Sequence, residues 1–338
     1  MLATQLKERE PSFDLTKGVL IYLVVLGHLL GNFPRVTSLI DDAVMPVFFV
    51  ISGYFSKDSL DAQELWSTVK KKTKTLLLPY LIWSGISLLA NLTIGILSGS
   101  TVSIAAEALQ IFLYARSVWF LLALYISACL FSLSIYWTCR HRKYFLPAQA
   151  VIWIVFFLVL PDDFLCLYKV KWLYPFLVFG FYLKKWMGGG KKLAKKQTAC
   201  LILLLAPLVT VACLYPETFI CHIDFAYSSV RDIVFGVLFY IMSALVSVLA
   251  FSLARAAAKA KYAAVLVEIG TYSLDIYVAH MFFIKALQVT GVFDIQFEGW
   301  LKYAFVCVCA AGIVILIWLI SKYILRRSKL YRWSIGLK

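Results

Sequence analysis

Long apolar runs separated by short polar segments dominate this chain. They occupy residues 18–34, 39–56, 75–97, 117–137, 144–160, 171–186, 198–215, 231–254, 263–284 and 301–325. A membrane-spanning helix needs roughly 20 apolar residues, and most of these runs approach or exceed that length. Proline and glycine interrupt 39–56 and 171–186, which is tolerated where neighbouring helices or a water-filled cavity satisfy the backbone. The pattern predicts an all-α, polytopic membrane helix bundle of about ten transmembrane helices.

Composition excludes a water-soluble protein. The 338 residues are 62% hydrophobic and 15% charged, with a mean hydropathy of +0.85. Soluble domains are nearer half apolar and a quarter charged. Ten helices with short loops leave no room for a soluble catalytic domain, so the sequence predicts one membrane domain over residues 1–338. Its surroundings are expected to be a lipid bilayer.

The positive charge is placed as a membrane topology requires. The formal net charge is +15. Of the 33 basic residues, 26 lie in the N-terminal segment, in 57–74, 138–143, 184–196 and 255–261, and in the C-terminal tail. The other seven lie in the alternate connections. This positive-inside pattern predicts that both termini are cytoplasmic and that the protein is multi-pass in a cell membrane, most simply a bacterial plasma membrane. Anionic lipid accounts for the charge, so no nucleic-acid partner is expected.

The first apolar run carries ionisable groups, which are costly inside a bilayer and therefore candidates for function. Asp14 and Lys17 lie at its predicted cytoplasmic mouth, three residues apart. His28 follows eleven residues after Lys17, so both side chains point roughly the same way, about 16 Å apart along a helix. That length is near the reach of the pantetheine arm of coenzyme A. The alternatives are an interior histidine bonded to a neighbouring helix and a lysine that snorkels to the interface.

A second group of candidates follows the next apolar run. Ser52-Gly53 is a step of small residues that allows another helix to approach closely, and Tyr54 follows it. Further on lies the basic segment 70–74, with four lysines. It is either a cytoplasmic topology anchor or a cationic patch whose lysines hold the phosphates of an anionic cofactor.

The remaining candidates lie toward the predicted outer side. His280 follows Asp275 by five residues, which places the two about 140° apart on a helix, so they are not expected to pair. His280 has either a structural role or a contact with a substrate. Trp119 is either an interfacial aromatic residue or a platform on which a substrate ring stacks. Arg116 precedes it and is a candidate substrate contact.

Several of these stretches resemble the acyltransferase family 3 of integral membrane O-acyltransferases. Within that family the chain is similar to the stand-alone branch of fucose 4-O-acetylase-like and intercellular-adhesion C-like proteins. The matching stretches are Asp14-Leu15-Thr16-Lys17-Gly18 with Gly27-His28, Phe48-Phe49-Val50-Ile51-Ser52-Gly53-Tyr54, Lys71-x-x-Lys74 before Pro79-Tyr80, Trp119-Phe120-Leu121, Pro175 to Gly180, and Tyr272 to His280.

The resemblance implies a ten-span enzyme that moves an acyl group from cytoplasmic acetyl-CoA, or another acyl-CoA, to a hydroxyl of a cell-envelope or exported glycan or a lipid-linked saccharide. It makes His28 the essential histidine, acting as general base or transient acyl carrier. The expected CoA-binding residues are Lys17, Lys71, Lys72 and Lys74. Three of them, Lys17, Lys71 and Lys74, stand at positions where arginine is usual in the family. The expected substrate contacts are Asp14, Ser52, Tyr54, Arg116, Trp119 and His280; among them, Arg116 and His280 would contact the acceptor sugar and Trp119 would stack on it. No metal is expected, because the thioester itself drives the reaction.

A transporter or exporter of a glycan or small solute is the rival hypothesis. Interrupted helices and intramembrane histidines suit a transporter as well. Inverted repeats, which would favour transport, are not evident in the sequence. Stabilisation of the protein by CoA, but not by sugars, would favour the enzyme.

Overall fold

The computed structural model describes residues 10–30, 34–97, 99, 103–159, 164–187, 193–214, 230–290 and 300–337. In these residues the regular structure is helical, as the apolar pattern predicts, and no strand is formed. The helices are α1 Pro11–Leu29, α2 Pro34–Tyr54, α3 Ala62–Lys72, α4 Leu78–Leu97, α5 Ile104–Ala108, α6 Trp119–Thr138, α7 Phe145–Val159, α8 Leu167–Met187, α9 Lys195–Leu214, α10 Val230–Ala257, α11 Ala264–Thr271, α12 Ser273–Val289, α13 Trp300–Tyr323 and α14 Lys329–Ser334.

Each of the ten predicted runs contains a helix, but fewer helices meet the length and composition of a membrane span. Among the described residues six do so: Pro11–Leu29, Ala62–Leu97, Trp119–Thr138, Lys196–Leu214, Ile233–Ala257 and Trp300–Arg327. The bent pair α11 and α12 makes a seventh if it is counted as one span. Helix α7 has only 15 residues, and α8 carries four lysines. The protein is thus a multi-pass membrane protein, while the count of ten and the cytoplasmic termini remain predictions.

The helix that contains the third predicted span begins well before its apolar residues. Asp61 caps α3, because its carboxylate accepts from the backbone N–H of Glu64 while the Glu64 side chain accepts from the Asp61 N–H. This reciprocal pair satisfies two N–H groups that a helix start leaves unpaired. One wide π-helical turn over Thr73–Leu77 then joins α3 to α4. Most of the segment expected to be a cytoplasmic connection is therefore helical.

The ninth predicted span is broken rather than straight. Helices α11 and α12 meet at Tyr272 with a bend of 75°. The hydroxyl of Thr271 donates to the carbonyl of Glu268 at 2.8 Å, which satisfies one of the carbonyls left open where α11 ends. The bend turns the first turn of α12, with its buried Asp275, in a different direction from α11.

Several helices expose apolar side chains that only lipid or another apolar surface would cover. On α9, for example, Ile202, Leu203 and Leu204 are all more than half exposed. A helix that is apolar on its outer face is typical of a membrane protein. The exposed apolar surface agrees with the bilayer environment that the composition indicates.

The chain forms two compact units. The first contains Met1–Phe48 and Met187–Lys322, and therefore α1, the start of α2, and α9 to α13. The second contains Phe49–Trp186 and Tyr323–Lys338, and therefore the end of α2, α3 to α8, and α14. The predicted site residues are divided between the two units.

Candidate active site

Helix α1 carries three of the predicted site residues. Pro11 occupies the first helical position, where its missing N–H costs nothing, and Glu10 is the N-cap residue. Asp14 lies in the first turn, where a carboxylate is favoured by the helix dipole. Its Oδ1 is 3.3 Å from Nζ of Lys17, with Asp14 nearly buried and Lys17 partly exposed. The acidic residue therefore positions the lysine one turn away. Asp14 does not cap the helix: the N-cap position belongs to Glu10, whose side chain makes no capping hydrogen bond.

His28 lies in the last turn of the same helix, with an exposed side chain. The chain is continuously helical from Lys17 to His28, a separation of eleven positions, so the two side chains are about 16 Å apart along the axis. The sequence-based distance is thus retained by the fold. The imidazole of His28 is therefore not enclosed by the helices around it, as that of a wholly interior histidine would be.

Two glycines allow α1 and α11 to touch through their backbones. A Cβ at Gly18 would lie 2.1 Å from the carbonyl oxygen of Leu266, and one at Gly270 would lie 1.7 Å from that of Asp14. No real side chain fits at such distances, so only glycine permits this approach. The contact fixes α1, and with it Asp14 and Lys17, against the first half of the bent α11–α12 pair.

The second half of that pair brings His280 to His28. Their ring centroids are 5.1 Å apart and the ring planes differ by 33°. His280 is only 2% exposed, in contrast to His28. The sequence places both residues in apolar runs but does not indicate that they meet, because the contact depends on the bend at Tyr272.

The surroundings of His280 determine which of its nitrogens is protonated. Its Nδ1 lies 2.6 Å from the carbonyl oxygen of Tyr277 and 3.2 Å from that of Ile276. A carbonyl oxygen only accepts hydrogen bonds, so Nδ1 must carry a proton and donate it. In the neutral ring Nε2 then holds the lone pair, and within the described part of the chain this buried atom has no hydrogen-bond partner. Nε2 of His280 is therefore a hydrogen-bond acceptor without a partner among the described residues, and it belongs to a ring of fixed orientation that packs against His28.

The second unit holds the other cluster of candidates. Nζ of Lys72 lies 3.5 Å from Oγ of Ser52, and Lys72 is half-buried. Lys71 and Lys74 are exposed. Of the three lysines it is therefore Lys72 that turns toward the end of α2, and the other two face outward. The π-helical turn that follows is a distortion frequently found at functional sites.

The close approach expected at Gly53 is confirmed. A Cβ at Gly53 would lie 1.9 Å from the carbonyl oxygen of Leu177, and one at Gly180 would lie 2.1 Å from that of Val50. Helices α2 and α8 therefore cross in backbone contact beside Ser52. Tyr54 is half-buried, and its ring packs edge-on against Phe55 at 5.6 Å.

Arg116 and Trp119, which the sequence predicts toward the outer side, differ in their surroundings. Arg116 is exposed, and its backbone N–H donates to the carbonyl of Gln110 at 3.2 Å. Trp119 begins α6, and the ammonium of Lys169 lies 5.0 Å from the centre of its ring. This cation–π contact occupies the indole within the protein, which favours a structural role over a sugar platform.

Comparison with known proteins places these residues in a family. An acyltransferase domain of the acyltransferase 3 family matches residues 10–321. Nodulation protein NolL of Sinorhizobium fredii is 29% identical over 184 residues, which cover 51% of this chain and 48% of that protein. Nodulation protein NolL of Mesorhizobium japonicum is 36% identical over 85 residues, 22% of this chain and 23% of that protein.

The chain spans about half the length, or less, of these curated relatives. No solved structure matches it. The family match nevertheless extends from the N-cap of α1 into the last turn of α13 and includes both histidines of the pair. The chain therefore belongs to the acyltransferase 3 family of membrane acyltransferases.

Proposed function

We propose that this protein is a membrane O-acyltransferase that uses acyl-CoA, with acetyl-CoA as the first choice of donor. The acceptor is a hydroxyl of a cell-envelope or exported glycan, or of a lipid-linked saccharide. Family membership and the apolar helices support a membrane acyltransferase. We further propose that residues 1–338 act as one domain in a bacterial plasma membrane, with both termini in the cytoplasm.

The observation that carries the proposal is the contact between an exposed and a buried imidazole. His28 is accessible, and His280 holds an acceptor nitrogen beside it. Acyl transfer to a hydroxyl needs a base that takes the hydroxyl proton during attack and returns it to the leaving group. Imidazole suits this task, because its ordinary pKa lies near neutral pH.

In the proposed reaction, His28 accepts the proton of the acceptor hydroxyl as the oxygen attacks the thioester carbonyl. The new C–O ester bond forms while the C–S bond breaks. The proton on His28 then passes to the CoA sulfur, so the imidazole is regenerated and free CoA leaves. In the alternative, a ring nitrogen of His28 attacks the thioester, the C–S bond breaks and the imidazole proton passes to the CoA sulfur. The acceptor hydroxyl then takes the acyl group from the acylimidazole and its proton returns to the ring.

We assign His280 a positioning role rather than the contact with the acceptor expected from its sequence position. Because its Nδ1–H is held by backbone carbonyls, the ring is fixed in one orientation. Its lone pair at Nε2 then favours the protonated form of His28 that arises during the transfer, by the attraction between a positive charge and an acceptor nitrogen.

The donor contacts are proposed from charge. Lys17, held by Asp14 at the start of α1, lies about one pantetheine length from His28 and suits a phosphate of CoA. Lys71, Lys72 and Lys74 are proposed as further phosphate contacts. Each lysine acts as a point charge, because an ammonium lacks the two-pronged geometry of arginine. Arg116 is proposed as a contact of the acceptor, and Ser52 and Tyr54 as lesser substrate contacts.

Ligand-dependent stability tests this function against the transporter hypothesis. Purified protein in detergent is heated with CoA, with acetyl-CoA or with a panel of sugars, and unfolding is followed by tryptophan fluorescence. A ligand at about 100 times its Kd stabilises the folded state by about 2.7 kcal/mol, so a CoA site produces a clear rise in Tm. Stabilisation by sugars but not by CoA would contradict the enzyme and favour transport.

A further inference from the structure

A cavity in the second unit combines an apolar floor with a cationic rim. It has a volume of about 50 Å³ and lies where the end of α6, the start of α7 and the end of α8 converge. Ile135, Phe145 and Phe181 form apolar parts of its wall. Arg142, Lys185 and Asp58 also line it. None of these residues belongs to the proposed catalytic machinery.

The charges on the rim do not cancel. The carboxylate of Asp58 is 3.7 Å from the ammonium of Lys184, so the acid is already matched by a cation outside the lining. Arg142 donates to the backbone carbonyl of Asp58 at 3.3 Å, which leaves its positive charge uncompensated. The Lys185 ammonium lies over the Phe181 ring at 4.6 Å. Within the described residues neither Arg142 nor Lys185 has a carboxylate partner, so the cavity carries two surplus positive charges.

The surroundings of the cavity are those of a membrane interface. Exposed aromatic side chains lie at the same ends of α6 and α8 and in the turn before α7: Trp137, Tyr144, Tyr182 and Trp186 are between 40% and 70% exposed. Tryptophan and tyrosine are enriched at the level of lipid headgroups. The flanking segments 138–143 and 184–196 are basic connections that the charge pattern assigns to the cytoplasm, where the leaflet carries anionic lipid.

We propose that this cavity binds the headgroup of an anionic phospholipid. The phosphate lies between Arg142 and Lys185, which supply charge-assisted hydrogen bonds. The glycerol and the start of the acyl chains contact the apolar wall. A small soluble phosphate compound shares the phosphate chemistry, but neither the apolar wall nor the exposed aromatic residues around the rim would contribute to its binding. The proposal is independent of the acyltransferase reaction.

Native mass spectrometry of the full chain in detergent tests the proposal. The protein is titrated with phosphatidylglycerol and, separately, with phosphatidylcholine, and the bound lipids are counted. We expect wild type to retain phosphatidylglycerol in preference. The double substitution Arg142→Gln with Lys185→Gln is expected to weaken that retention by about 100-fold, because each of the two charge-assisted hydrogen bonds contributes roughly tenfold.

The matched control is Arg140→Gln with Lys143→Gln, which removes one arginine and one lysine from the neighbouring exposed positions outside the cavity lining. It should bind phosphatidylglycerol as wild type does. Equal loss in both double variants would show general charge attraction and overturn the site, as would equal retention of the two lipids by wild type. Competition by inorganic phosphate or CoA, at concentrations that displace phosphatidylglycerol completely, would assign the cavity to a soluble phosphate and also overturn it.

Folding of the variants is checked by their Tm without added lipid. If the double variant does not purify, the single substitutions Arg142→Gln and Lys185→Gln carry the same comparison against Arg140→Gln and Lys143→Gln, each with about half the effect on a logarithmic scale. Single variants that bind like their controls would refute the proposal.

Discussion

Replacing Gly270 by alanine tests whether the backbone contact between α1 and α11 positions the candidate site. The added Cβ would lie 1.7 Å from the carbonyl oxygen of Asp14, whereas an ordinary contact begins at 3.4 Å. The two helices must therefore separate locally by about 1.7 Å. The obstacle is backbone on both sides, so no side-chain rotation relieves it.

Two consequences can be estimated. Overpacking costs roughly 1–3 kcal/mol, and a clash with backbone on both sides belongs at the upper end of that range. The better helix propensity of alanine returns about 1 kcal/mol. Gly270→Ala is therefore expected to lower the free energy of unfolding by about 2 kcal/mol. Since α1 carries Asp14, Lys17 and His28, the shift also disturbs the contact with His280. A misplacement of about 1 Å at a reacting group can cost about 100-fold in rate.

The control is Gly312→Ala on α13, in the same unit, where a Cβ would meet no atom within 4 Å. Only helix propensity then changes, and a stabilisation of up to about 1 kcal/mol is expected. Thermal unfolding in detergent and transfer of labelled acetyl groups are measured for both variants. The reasoning is refuted if Gly270→Ala matches Gly312→Ala in Tm and in transfer rate.

Three further outcomes are expected. His280→Gln offers an amide oxygen near the position of Nε2 and should keep a measurable fraction of the acetyl transfer rate. His280→Ala should lose about 100-fold in that rate at unchanged KM for acetyl-CoA. Equal rates for the two variants would contradict the positioning role. Lys72→Gln should raise the KM for acetyl-CoA about tenfold while the exposed Lys70→Gln leaves it unchanged, and the opposite order in initial-rate kinetics would remove Lys72 from the donor site. Gly53→Ala should lower the Tm, because its Cβ would meet backbone at 1.9 Å. The control Gly85→Ala on α4 meets nothing within 4 Å and should not lower the Tm. Similar Tm values for the two variants would contradict the close crossing of α2 and α8.

Local patterns predict much of this fold because each helix in a bilayer must satisfy its own backbone. The apolar runs locate a helix in every predicted span, and the small Ser52-Gly53 step correctly indicates close helix packing. The early start of α3 also has a local signal, since Asp61 and Glu64 have the spacing of a capping box. The apolar pattern alone does not include that signal.

The bend at Tyr272, by contrast, could not be predicted from the sequence pattern. Residues 263–284 form one apolar run, and periodicity does not distinguish a straight span from two helices at 75°. The contact between His28 and His280 depends on that bend and on the tight packing at Gly18 and Gly270. A single sequence contains no signal for a pairing between such distant positions. The spacing within α1 was therefore predictable, and His280 was a candidate, but its contact with His28 was not predictable.

Transfer of an acetyl label tests the central claim most directly. Membranes containing wild-type protein or His28→Ala are supplied with acetyl-CoA labelled in its acetyl group, and the label is measured in the separated glycan and lipid fractions. His28 is exposed, so its truncation leaves no buried cavity, and His28→Ala should remain folded and still be stabilised by CoA. We predict labelled product with wild type and a background level with His28→Ala. Equal labelling by the two proteins would contradict the account.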